Sequence, residues 1–86
     1  MLHICSVFDN KAKVFGRPFF VTHVAHAYRS LSDEVNRTGA GASEIANHPE
    51  DFELYVMGKF LEEDGTFDTE RPMLLVGCSQ LVRYVE

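Results

Sequence analysis

Apolar positions in the first quarter of the chain crowd into two short runs, LHICSVF (2–8) and VFGRPFFV (14–21), both rich in β-branched and aromatic side chains. Between them lies DNKAK (9–13), whose Asp9-Asn10 pair suits a turn because short polar side chains bond to nearby backbone N–H groups. The pattern predicts a strand, a turn and a second strand. Gly16 and Pro18 interrupt the second run, and a proline that cannot donate to a ladder confines it to a sheet edge.

From Thr22 the period changes. Val24, Tyr28, Leu31 and Val35 recur at steps of four, three and four, while His26, Arg29, Ser30, Asp33, Glu34 and Arg37 fall elsewhere around the helix. This predicts one amphipathic helix over 23–37, with the Thr22 hydroxyl as N-cap and Asn36 with Gly39 at its end. TGAGASEIANHPED (38–51) has no sustained period and reads as a connecting loop. FELYVMGKFL (52–61) then alternates as a strand, placing Phe52, Leu54, Val56 and Phe60 on one face and Glu53, Tyr55, Met57 and Lys59 on the other. MLLVGCSQLVRYV (73–85) is a further β-rich run, with Gly77 as a bulge or bend. The order strand, strand, helix, strand, strand implies an α+β fold: a small antiparallel sheet in ββαββ order with one amphipathic helix packed on one face.

Length sharpens this picture. Eighty-six residues form a single domain, because so short a chain hides only about 60–65% of its unfolded surface and cannot be split into two cores. With 45% hydrophobic residues and seven Phe, the composition is that of a folded domain with a marginal core. No apolar run approaches the ~20 residues needed to cross a bilayer, and the N-terminus lacks a basic region followed by a long apolar stretch, so a soluble protein that is not exported is expected. Cys5 and Cys78 sit in apolar segments without CxxC spacing and read as buried, inert thiols.

The net charge of −5 is unevenly spread. Residues 1–30 carry Lys11, Lys13, Arg17 and Arg29 against Asp9, and the rest of the chain carries four bases against twelve acids. A polyanion would therefore lie against the N-terminal third.

Candidate chemistry is sparse. FLEEDGTFDTE (60–70) resembles a calcium loop, but with Gly65 at the sixth position Phe60 and Arg71 fall where oxygen ligands belong, so Asp64-Gly65 reads instead as a hairpin turn. His23 and His26 lie one helical turn apart but are two ligands where a catalytic zinc needs three. No cysteine or serine sits in a nucleophile context, and no phosphate-binding loop is present. A non-enzymatic protein without metal or cofactor is expected. DNKAKVFGRPFF (9–20) is the most suggestive segment, because Lys11, Lys13 and Arg17 interleave with Phe15, Phe19 and Phe20. Single-stranded nucleic acid is commonly held by cations on its backbone and aromatic faces under its bases. Phe19 and Phe20 point to opposite sides of an extended chain, so only one of them shares a face with Phe15.

These residues also carry a resemblance. Asp9, Lys11-Ala12, Phe15 and Pro18-Phe19-Phe20, a helix finishing at Val35-Asn36, His48-Pro49 with Asp51, and the strand and turn bearing Gly58, Phe60, Gly65 and Phe67 resemble the small nonstructural protein of gokushoviruses and related microviruses. The likeness covers about residues 4–76, while the linker and the C-terminal segment depart from the family pattern. It implies a phage protein of the host bacterial cytoplasm, outside the capsid, that binds DNA or switches replication toward single-stranded genomes. No catalytic residues come with it.

The expected function is single-stranded DNA binding during genome replication, with Lys11, Lys13 and Arg17 on phosphates and Phe15 plus one of Phe19 and Phe20 under bases. The alternative is a module whose acidic half docks on the phage replication initiator or a host replication factor. Self-association, as a homo-oligomer, is expected in either case.

Overall fold

The computed structural model describes residues 1–83 and is a small α+β fold, as the patterning predicts. Strands β1 (Leu2–Asp9), β2 (Val14–Phe15), β3 (Phe19–Val21), β4 (Phe52–Leu61) and β5 (Thr66–Gly77) form one antiparallel sheet in the order β2-β1-β4-β5. β3 pairs with β1 as well, so the run 14–21 is an edge broken at Gly16, Arg17 and Pro18 into two short pieces. The break is pinned rather than loose. Gly16 N–H donates to the Val7 carbonyl at 2.8 Å, and the fully buried Ser6 hydroxyl donates to the Gly16 carbonyl at 2.8 Å.

Helix α1 (Val24–Val35) lies on one face of the sheet. Its buried residues Ala27, Leu31 and Val35 pack with Cys5, Leu54 and Cys78, and Val7, Phe19, Val56 and Val76 close the rim of this core. The helix begins later than predicted: His23, not Thr22, is the N-cap, and no side chain caps it. Its end is tied down firmly. Asn36 donates from its side-chain amide to the carbonyls of Ser32 and Leu81, at 2.7 and 2.9 Å, and accepts from Arg83 N–H at 2.7 Å.

Three further predictions are corrected. The segment 38–51 is not a plain loop: Ser43 caps a one-turn helix α2 (Glu44–Asn47), and Pro49 starts a 3₁₀ turn, Pro49–Asp51. The last β-rich run ends at Gly77, and Cys78–Leu81 is a 3₁₀ turn in which Gln80 accepts from Gly77 N–H at 3.2 Å; residues 84 and 85 of the predicted run lie outside the described residues. β5 instead reaches back to Thr66 through the charged stretch 68–71, and its Pro72 is tolerated because β5 is an edge.

The third correction decides which residues share a face. β1 pairs Cys5 with Val56 but Ile4 with Gly58, leaving Met57 as an extra residue in β4. One extra residue reverses the alternation of everything beyond it. Leu54 and Val56 therefore face the helix, whereas Phe60, predicted to join them, sits beside Leu2 on the opposite face. No described helix is long and apolar enough to cross a membrane.

Candidate functional site

The face of the sheet away from α1 has no helical cover and is where the aromatic side chains collect. Registration places Leu2, Ile4, Ser6 and Phe8 of β1 on this side, with Phe15, Phe20, Tyr55, Phe60 and Phe67 as their cross-strand neighbours or next in line. The rings form two clusters. In the first, Phe8 and Phe15 are 4.8 Å apart by centroid, and the Tyr55 ring stands edge-on to Phe15 at 5.2 Å. In the second, Phe60 lies 4.9 Å from Phe67 and 6.1 Å from Phe20. Leu2, Phe20, Phe60 and Phe67 line an open apolar cavity of about 250 Å³. None of the seven phenylalanines is buried, and Phe15, Phe20 and Phe67 are exposed.

The predicted site residues divide accordingly. Lys11 and Lys13 sit in the turn after β1, where Asp9 accepts from the N–H groups of Lys11 and Ala12, and Lys13 takes a left-handed φ of 62°. Arg17 lies in the break between β2 and β3. All three cations are exposed, and none forms an ion pair with a described residue. Phe15 stands between them in sequence, within the first cluster. Phe19 and Phe20 point to opposite sides as predicted: Phe19 packs on the helix-side core and Phe20 joins the second cluster. Sequence reasoning missed Phe8, Tyr55, Phe60 and Phe67 as members of this face, since only strand register brings them there.

The hairpin tip that looked like a calcium loop is a turn. Gly65, at φ 73°, donates its N–H to the Leu61 carbonyl at 2.8 Å, and Phe60 and Phe67 are direct cross-strand partners behind it. Asp64 accepts from the Thr66 hydroxyl and N–H, and these bonds hold its carboxyl below the usual carboxylate range. Glu62 accepts from the N-terminal ammonium at 3.0 Å, which raises the ammonium pKa. The acids thus stand at the tip end of the sheet, and the Lys11–Lys13 turn stands at the other. His23 and His26 pack edge to face at 5.3 Å on the exposed start of α1. His48, Glu50 and Asp51 bring ligand atoms within 4.8 Å of one another around the 3₁₀ turn, a grouping exposed acids commonly make without a metal.

Cys5 and Cys78 are fully buried free thiols. Burial pushes both up, Cys78 to about 11 with help from Glu53. A thiol that holds its proton more tightly folded than unfolded contributes stability that is intact below 9.0, the value of an unperturbed thiol, and is lost as pH climbs through about 11. We expect stability to drop by roughly 2 kcal/mol between those limits in urea titrations, and Cys78→Ala to flatten the drop; a slope unchanged by that substitution rules the thiol out as its source.

No curated protein and no solved structure matches the chain. The phage ORF5 protein family matches over residues 2–81, nearly the whole chain, and the protein belongs to that family of bacteriophage proteins.

Proposed function

We propose that this phage protein is a non-enzymatic binder of single-stranded DNA that lays the strand on the helix-free face of its sheet. The observation that carries this reading is the first aromatic cluster, Phe8, Phe15 and Tyr55, flanked by three exposed cations without ion-pair partners among the described residues, Lys11, Lys13 and Arg17. An exposed ring such as Phe15 gives a base a stacking surface without a hydrogen-bond code, so binding tolerates sequence, while the cations follow the phosphates. Phe19, committed to the core, drops out of the site, and Phe20 lies farther along the same face.

The resemblance to the small nonstructural proteins of gokushoviruses supports the rest of the reading: action in the host cytoplasm during the switch to single-stranded genome synthesis. A poly-dT oligonucleotide titrated at two salt concentrations tests it. Affinity should fall with salt, and Lys11→Ala with Arg17→Ala should reduce the logarithmic slope by about 1.4, two phosphate contacts' worth. Phe15→Ala should weaken binding by ~1–3 kcal/mol while leaving the slope alone. Binding that is absent, or indifferent to salt, ends the proposal.

A further inference from the structure

The helix-free face is polar in its charge as well as aromatic along its length. β1 runs its full length, from the N-terminal ammonium bonded to Glu62 at one end to Asn10, whose N–H donates to the Asp51 carbonyl, at the other. From Leu2 to Asp9 this is roughly 23 Å at about 3.3 Å per residue. Glu62, Glu63 and Asp64 mark the first end; Lys11 and Lys13 mark the second, where with Arg17, between Phe15 and Phe19 on the edge, they outnumber Asp9, tied to the turn's own N–H groups, and Glu53, tied to Asn10. A second copy turned about a two-fold axis lying in the contact plane, across the strands, would set acid over base twice. The other face-to-face arrangement, with strands aligned, would set the acids against each other.

The area of the chain favours such a partner. It exposes 5936 Å², against about 5,100 Å² for a compact monomer of this mass, and the surplus of roughly 800 Å² is what one partner contributes to a standard interface. The radius of gyration, 13.8 Å, likewise exceeds the ~12 Å of a compact domain of this length. Side-by-side pairing through β5 is the less suitable route. Its outer edge carries Asp68, Glu70, Arg71 and Pro72 at a place where its register with β4 is also broken, and charge, proline and bulges are what keep an edge from recruiting strands.

We infer that two copies of this chain pack helix-free face to helix-free face with strands antiparallel, each acidic hairpin tip over the other's Lys11–Arg17 loop, covering the surface that binds DNA. The tip acts as a stand-in for phosphate, and the rings of the two clusters pack across the contact where bases would otherwise stack. The dimer itself rests on charge and area alone; its competition with DNA rests on the DNA reading above.

Charge reversal tests this in sedimentation equilibrium at tens of micromolar without DNA. The wild type should be a dimer at low salt and dissociate as salt rises. Glu62→Lys with Glu63→Lys should be monomeric, Lys11→Glu with Arg17→Glu should be monomeric, and all four changes together should restore the dimer. All four side chains are exposed, and circular dichroism checks that each variant is folded. A wild-type monomer, or a dimer that neither reversal weakens, overturns the inference. A short dT oligonucleotide should convert the wild-type dimer to a protomer bound to DNA, and the Glu62→Lys, Glu63→Lys monomer should bind it more tightly than the wild type does. A dimer that stays intact on DNA overturns the shared face. Failure of every variant to bind DNA removes the DNA reading but leaves the dimer result standing.

Discussion

Gly58→Ala is expected to lose about 3–5 kcal/mol of stability, a large share of the roughly 4–13 kcal/mol that a domain of this length has to lose. Gly58 takes φ 146°, a conformation that costs any residue with a Cβ about 1–3 kcal/mol. The added carbon would also press on the Asp68 carbonyl oxygen and lie 2.8 Å from Thr69 Cα. Both are backbone atoms of the neighbouring strand, which cannot step aside as the end of a flexible side chain would. Because Gly58 follows the extra residue Met57, the strain falls where β4 turns Phe60 to the helix-free face. Urea denaturation should therefore show a much lower midpoint, with the second aromatic cluster disturbed in whatever folds. A midpoint within about 1 kcal/mol of wild type would mean that the bulge yields easily.

Leu54→Ala should cost about 3 kcal/mol and separate the two faces of the sheet. Leu54 is 0% exposed, the largest of the fully buried side chains, and sits between Val7 on β1 and Val76 on β5 beneath α1. Shortening it leaves a cavity that the paired strands on either side cannot close. The helix-free face makes no use of this residue, so under the DNA reading proposed above the folded fraction should match the wild type in oligonucleotide titrations. A loss below about 1 kcal/mol would show that the helix settles into the gap.

The parts of this fold legible in the sequence are those determined within a few residues. The helix shows through Leu31 and Val35, the first strand through its β-branched run, and the hairpin turn through Asp64-Gly65. The loop Lys11–Arg17 is legible for the same reason, since its cations and Phe15 are near neighbours. What stayed hidden depends on partners far along the chain. Phe60 changes face because of an offset between β1 and β4, and no alternation within 52–61 reveals a residue that only the opposite strand leaves unpaired. Tyr55 joins Phe8 and Phe15 only through the pairing of β1 with β4, whose partners Ser6 and Tyr55 lie more than forty residues apart. The turn of helix at Glu44–Asn47 is too short to show a period, and Ser43, whose hydroxyl accepts from Ala46 N–H and donates to Glu34, was its only local sign.

Tyr55 brings the matter to light in a literal sense. The chain has no tryptophan, so its ultraviolet emission comes from three tyrosines, and one of them stands edge-on to Phe15 beside the basic loop. A base stacked there would sit close enough to quench that ring, and a second protomer would shield it from water instead. The molecule therefore carries its own dye at the surface in question, able to tell a nucleotide from a protein neighbour without any label.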